Sequence, residues 1–304
     1  MSAPGGEGAP GAAAQADRPA SDGGLRRDQP RPAAGAAAAV LRRPDRLFAG
    51  YVLDLDGTVY LGDALLPGAL EAVTELKRTA RVIYMTNKPL ELPADYAAKL
   101  TRLGLPTAAS EVVSSTDALL LYLERRAPNA RLFVVGEPPL LHLLERHGYE
   151  LTEEPSRVEV VVVSFDRTFD YRKLQIAFDA VRAGARIVAT NPDAYCPTPD
   201  GGLPDCAAML AAVEACTCAI AEAVVGKPSE HMAAAALHRI GVPPGDALLV
   251  GDRLTTDLRM ARAAGMTGAL TLTGATSLAE ALASPERPDY LISGLLDLLP
   301  DSST

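Results

Sequence analysis

The stretch Val52-Leu53-Asp54-Leu55-Asp56-Gly57-Thr58 sets two carboxylates one residue apart, directly behind an apolar run over residues 48–53. Such a run reads as a short buried strand, and Gly57 stands where a chain leaving a sheet must turn sharply. Acids on the loop beyond the carboxyl end of a strand lie where open α/β sheets take their ligands. Two carboxylates this close resist full ionisation unless a cation or hydrogen-bond donors come between them. Magnesium suits that position, because it favours a few carboxylate and carbonyl oxygens and keeps waters for the rest of its shell. One carboxylate of such a pair can attack as a nucleophile and become an aspartyl ester. The other can protonate a leaving oxygen and later deprotonate a water. On its own, Asp54-Leu55-Asp56-Gly57 is equally an ordinary polar turn after a strand.

Further residues of suitable type follow. Thr86-Asn87 comes directly after a second apolar run over residues 81–85. A short hydroxyl or amide side chain there can donate to a phosphate oxygen, or can simply close the strand and cap the next helix. Lys227, within Val224-Val225-Gly226-Lys227-Pro228, lies at a turn before a helical stretch, where a lone lysine is more often solvated surface. A third apolar run ends in Gly251-Asp252, and Asp257 follows near the start of a helix, whose dipole alone favours an acid. A carboxylate added to Asp54 and Asp56 completes a magnesium shell. The loop over residues 191–204 is rich in Pro, Gly and Asp and long enough to expect a functional role. Asn191, Asp193 and, just past it, Asp205 are its candidates for facing a substrate.

The elements that must carry these residues alternate. Strands over 48–53, 81–85 and 111–114 are separated and followed by helices over 67–77, 93–103 and 117–126, which predicts a parallel sheet with right-handed crossovers. A second such pattern has strands over 131–135, 158–164 and 186–190 and helices over 138–147 and 171–183. The first pattern then resumes, with a helix over 229–240, a strand over 247–252, a helix reaching 264, and strands over 268–272 and 290–292.

A chain of 304 residues has room for a core domain and a smaller second one. Residues 1–45 are dominated by Ala, Gly, Pro, Asp and Arg and read as a disordered tail. Arg26-Arg27 is not followed by an apolar segment long enough for export, and no later run is long enough to span a bilayer. A cytoplasmic protein without membrane partners is the expectation. The net charge is −9, and the acidic part is the body rather than the tail. That balance argues against nucleic-acid binding and leaves any phosphate site to be built locally from metal, lysine and backbone donors. Cys196, Cys206, Cys216 and Cys218 form no Cys-x-x-Cys pair and read as reduced thiols. His142, His147, His231 and His238 lie in helical stretches of mixed polarity and read as surface or packing residues.

In order and placement these motifs resemble those of the haloacid dehalogenase superfamily of phosphohydrolases. They are Asp54-x-Asp56-Gly57-Thr58, Thr86 after the second strand, Lys227, and Gly251-Asp252 with Asp257 five residues on, spread over residues 48–292. More narrowly, the chain looks like the subfamily of nitrophenyl, pyridoxal, phosphoglycolate and nucleotide phosphatases. Phe165-Asp166-Arg167, Thr190-Asn191-Pro192-Asp193, Gly226-Lys227-Pro228-Ser229, Ala264-Gly265-Met266 and Leu272-Thr273-Gly274 carry that likeness.

The resemblance implies an α/β fold, a Rossmann-like parallel-sheet core with an inserted α/β cap domain of the C2 type. Here the core spans 46–128 and 222–299, the cap 129–221, and a short C-terminal tail 300–304. It implies Asp54 as nucleophile and Asp56 as general acid and base. Asp54, the backbone carbonyl of Asp56, and Asp252 would hold Mg²⁺, with Asp257 orienting its water shell. Thr86, Asn87 and Lys227 would bind the phosphoryl group, supported by Gly57, Thr58 and Gly251. Two departures stand out: Lys88 replaces the small polar residue common in relatives, and Leu203-Pro204-Asp205-Cys206-Ala207 replaces a Pro-Gly-rich continuation. The expected activity is Mg²⁺-dependent hydrolysis of a small-molecule phosphomonoester through an aspartyl-phosphate, with a homodimer as one possible assembly. Transfer of the phosphoryl group to an acceptor other than water, or non-catalytic binding of a phosphate ligand, are the alternatives.

Overall fold

Strand β1 (Gly50–Asp54) is buried along its whole length and sits inside a six-stranded sheet. The structure, a computed structural model, describes residues 41–89, 91–198 and 201–300. The sheet runs β14 (Tyr290–Ile292), β13 (Thr267–Thr271), β12 (Ala247–Gly251), β1, β4 (Arg81–Thr86) and β5 (Val112–Ser114), all neighbours parallel. Alternate residues of each strand feed opposite faces. Tyr51, Leu53, Val82 and Tyr84 pack against α1 (Ala69–Thr79) and α2 (Pro93–Arg102). Val52, Ile83, Met85 and Leu249 pack against α3 (Ser115–Arg126), α7 (Glu230–Ile240) and α8 (Arg259–Ala263). Cover on both faces is why these strands read as unbroken apolar runs.

The inserted unit repeats the design on a smaller scale. Its sheet runs β11 (Ala223–Val224), β8 (Arg186–Ala189), β7 (Val160–Val163) and β6 (Leu132–Val135), again all parallel. Phe133, Val135, Val161 and Val163 face α5 (Tyr171–Arg182) and α6 (Cys206–Thr217). On the opposite face, Leu132, Val134, Val160 and Val162 join α4 (Pro138–Arg146) in the same apolar cluster as Leu119 and Leu123 of α3. Residues of both sheets and of α3 therefore share one continuous apolar cluster.

Some elements were not anticipated. The expected loop over 191–204 contains an antiparallel ribbon, β9 (Tyr195–Thr198) paired with β10 (Gly201–Pro204). A two-stranded ribbon outside the main sheets buries little, so it leaves no apolar alternation to read. A second ribbon, β2 (Tyr60–Leu61) with β3 (Ala64–Leu65), directly follows the Asp54–Asp56 turn. Helix α9 (Leu278–Ala283) opens with a capping box in which Ser277 and Glu280 satisfy each other's backbone N–H groups. Strand β11 lies just past residue 221, where the cap was expected to end. At the other end, Arg42 exchanges two backbone hydrogen bonds with Leu291, so ordered pairing begins inside the stretch expected as tail. Residues 1–40 of that tail, and residues 301–304, lie outside the described residues. Among the described residues, no helix is long and apolar enough to cross a membrane.

Candidate active site

Three adjacent strands of the large sheet deliver their carboxyl ends to one place. The register sets Asp54 of β1 level with Met85 of β4, and Leu53 level with Val250 of β12. Thr86 ends β4, and Asp252 follows directly on β12. Lys227 arrives from the turn between β11 and α7. Ser229 starts α7 by accepting from the Met232 N–H at 3.2 Å and donating to the Val225 carbonyl at 2.5 Å, which holds that turn.

Lys227 Nζ lies 2.5 Å from Asp54 Oδ1 and 2.8 Å from Asp257 Oδ1, all three side chains being buried. Carboxylate oxygens of Asp54, Asp252 and Asp257 lie within 4.8 Å of one another. Asp257 sits in a π-helical turn, Leu254–Leu258, and its second oxygen accepts from the Arg253 N–H at 3.2 Å. Gly251 makes room for it, since a Cβ there would lie 2.3 Å from the Asp257 carboxyl carbon.

Burial pushes the Asp54 carboxyl well above the ordinary carboxylate range, with Lys227 opposing and Asp257 and Asp252 adding to the shift. Asp252 is raised too, by burial and then by Asp257. For Lys227, burial alone would depress the ammonium's pKa, but Asp257 and Asp54 more than offset it and keep it charged.

Asp252 shows what the cluster lacks. Its Oδ2 accepts from the Ala275 N–H at 2.6 Å, while its buried Oδ1 has no hydrogen-bond partner among the described residues. Gly57, at φ +81°, and Gly274 both press on it: a Cβ would come within 2.6 Å and 2.1 Å, respectively, of Asp252 Oδ2. Three buried acids stand against one ammonium, and one carboxylate oxygen of the set is buried without a donor. A divalent cation with oxygen ligands fits that donor set.

The remaining candidates form two groups. Asn87 clamps the turn that carries Lys227: its Oδ1 accepts from the Lys227 N–H at 2.7 Å, and its Nδ2 donates to the Lys227 carbonyl at 3.3 Å. The same Nδ2 donates to Asp193 Oδ2 at 3.0 Å, tying the core to the loop that follows β8. Asn191 is fully buried and accepts from the Asp193 N–H at 2.9 Å. Asp205 caps α6, accepting from the Cys206 N–H at 2.6 Å, and burial raises its carboxyl to about 6. Asp193 is thus tied to the Lys227 turn through Asn87, whereas Asp205 is spent on a helix terminus.

Asp56 is more exposed than Asp54 and Asp257. Its Oδ1 is 3.0 Å from Lys88 Nζ, and its Oδ2 accepts from the Tyr60 hydroxyl at 3.3 Å. Thr86 Oγ1 accepts from the Lys88 N–H at 3.2 Å. The buried Thr58 hydroxyl has no partner among the described residues. Sequence reasoning marked Lys88 only as a departure, missed Tyr60, and gave no site role to Gly274 or Ala275. The last two stand directly after Thr273, where a small-residue turn past a parallel strand was the available signal.

Known proteins resemble this chain in sequence and in fold. The family model for haloacid dehalogenase-like hydrolases matches residues 51–150, and a second model of that kind matches residues 224–298. The sugar-phosphatase AraL of Bacillus subtilis is 34% identical over 251 residues, covering 82% of this chain and 92% of AraL. The 4-nitrophenylphosphatase structure from Thermotoga maritima superposes with a TM-score of 0.78 at 34% identity, covering 83% of this chain and 96% of that one. The glycerol phosphate phosphatase structure from Mycobacterium tuberculosis, in complex with magnesium, gives 0.75 at 34% identity over 83% of this chain and 77% of that one. Both matched segments carry their part of the carboxylate cluster, and the chain belongs to the haloacid dehalogenase-like hydrolases, in their nitrophenyl phosphatase-like group.

Proposed function

We propose that the chain is a phosphatase that hydrolyses a small phosphomonoester through an aspartyl-phosphate on Asp54, with Mg²⁺ as its cofactor. The observation that carries this reading is the buried set of Asp54, Asp252 and Asp257 around one ammonium, with Asp252 Oδ1 unpaired. Asp54, Asp252 and the backbone carbonyl of Asp56 would hold the metal, with Asp257 behind them. When bound, Mg²⁺ supplies charge neutralisation at the transferring phosphoryl group.

The chain's own residues account for the remaining steps. Lys227 and the Thr86 hydroxyl bind phosphoryl oxygens. An oxygen of Asp54 bonds to phosphorus as the bond to the alcohol breaks. The electron pair of that bond goes to the alcohol oxygen, which takes a proton from Asp56. Asp56 then takes a proton from a water, whose oxygen attacks phosphorus, and the bond to Asp54 breaks with its electron pair returning to the carboxylate.

Among substrates, the sugar phosphatase AraL and the mycobacterial glycerol phosphate phosphatase support a sugar or polyol phosphate. The loop after β8, with Asn191 and Asp193, and the β9–β10 ribbon are the parts we assign to recognising the alcohol. The four cysteines, none of them in a disulfide among the described residues, support a cytoplasmic setting.

The test is phosphate release from p-nitrophenyl phosphate, sugar phosphates, glycerol phosphate, pyridoxal phosphate, phosphoglycolate and nucleotides, with Mg²⁺ and with EDTA. Metal-dependent release, highest on a sugar or polyol phosphate, is the expected result. Release from none of these esters would overturn the reading. A new phosphoester formed from an added alcohol would assign phosphotransfer instead.

A further inference from the structure

Lys88 stands directly after Thr86-Asn87, and its backbone is fixed at both ends. Its N–H donates to Thr86 Oγ1 at 3.2 Å, and its carbonyl accepts from the hydroxyl of buried Tyr96 on α2 at 3.2 Å. Its side chain then reaches Asp56 Oδ1 at 3.0 Å. The other oxygen of Asp56 accepts from buried Tyr60 at 3.3 Å, and Lys99 of α2 lies over the Tyr60 ring at 4.1 Å. Helix α2 therefore braces both donors that hold Asp56. The Asp56 side chain is 37% exposed, and among the described residues these two donors are its side-chain hydrogen-bond partners. Lys88 makes the shorter, charge-assisted contact of the two.

A carboxyl group transfers a proton efficiently only when held within hydrogen-bond reach of the departing oxygen. How much this matters depends on the ester. An alkoxide must be protonated as it leaves, whereas nitrophenolate is stable enough near neutral pH to depart without a proton.

We propose that Lys88 is a positioning residue for leaving-group protonation: its ammonium fixes the Asp56 carboxyl, so that turnover of alkyl phosphates depends on Lys88 and turnover of p-nitrophenyl phosphate does not. The inference rests on the phosphatase reading above and assigns Lys88 a part in it. No bond to Lys88 forms or breaks, and the proton passes from Asp56 to the alcohol oxygen as already described.

The test compares kcat/KM, which covers only steps through departure of the leaving group, on two esters. One is p-nitrophenyl phosphate, and the other is the alkyl phosphate that the wild type turns over best. In Lys88→Met, the alkyl ester should lose on the order of tenfold or more, because an acid left with only the longer Tyr60 contact forfeits part of its catalytic factor. p-Nitrophenyl phosphate should stay within about twofold of wild type. Lys88→Arg, which keeps a cationic donor, should recover most of the alkyl activity. If Lys88→Met does not fold, the ratio is read on Lys88→Gln. A ratio between the two esters that does not change overturns the Lys88 assignment alone. A wild type that hydrolyses neither ester overturns the phosphatase reading and this inference with it.

Discussion

Replacing Lys227 with Met keeps a side chain of similar length and removes the one charge that faces two buried acids. Lys227 Nζ is bonded to Asp54 at 2.5 Å and to Asp257 at 2.8 Å. Deleting one partner of a buried pair costs roughly 3–5 kcal/mol, because the other charge is left without compensation. Here one ammonium serves two carboxylates, so the loss belongs in the upper part of that range. For a chain of this size that corresponds to a fall in Tm of roughly 5–15 °C. The assay is thermal unfolding of wild type and Lys227→Met in EDTA, repeated over a Mg²⁺ titration. A ligand that binds only the folded state stabilises it by about 2.7 kcal/mol at a hundred times its Kd, and the variant's site carries one more uncompensated negative charge. Mg²⁺ should therefore raise the variant's Tm by more than it raises the wild type's. A deficit below about 1 kcal/mol in EDTA would refute the reasoning, since an exposed ion pair loses no more than that.

Further outcomes follow from neighbouring contacts. Gly251→Ala puts a Cβ 2.3 Å from the Asp257 carboxyl carbon; it should cost about 1–3 kcal/mol in denaturant unfolding and lower kcat on the order of tenfold or more by moving Asp257 off Lys227. Asn87→Ala leaves the buried Lys227 N–H without its acceptor, which should lower unfolding free energy by about 1–3 kcal/mol. Asp205 has a carboxyl raised by burial to about 6 from 3.8, so it binds its proton more tightly folded than unfolded. Its contribution is fully present below about pH 4 and is lost as pH rises through about 6. Tm measured across that window should accordingly show wild type losing stability relative to Asp205→Asn as pH rises, and parallel curves would contradict the assignment.

Much of this was legible in the chain because parallel strands covered on both faces are unbroken apolar runs, and their ends are where side chains of interest lie. Asp54, Thr86 and Asp252 each stand at the end of such a run, and the structure brings them to three adjacent strand termini. Gly57 was readable as a turn residue and Gly251 as the end of an apolar run, but their crowding against Asp252 and Asp257 was not. The Asn87 amide was equally hidden: its partners Asp193 and Lys227 lie more than a hundred residues away, and no local pattern reports such a contact. Lys88 differs again. Its type was visible, but its partner Asp56 is set by the β2–β3 ribbon and by α2. The β9–β10 ribbon escaped because Pro and Gly dominate it and it covers no core. Helix α9, by contrast, could have been found from Ser277-Leu278-Ala279-Glu280, a capping box ahead of an apolar stretch.

The most direct test of the account is the covalent intermediate itself. A ³²P-labelled substrate mixed with enzyme and Mg²⁺, quenched in acid within milliseconds, should leave label on the protein. Borohydride reduction and peptide mapping should then place it at Asp54, and Asp54→Asn should carry none. Label on another residue, or turnover in Asp54→Asn comparable with wild type, would contradict the central claim.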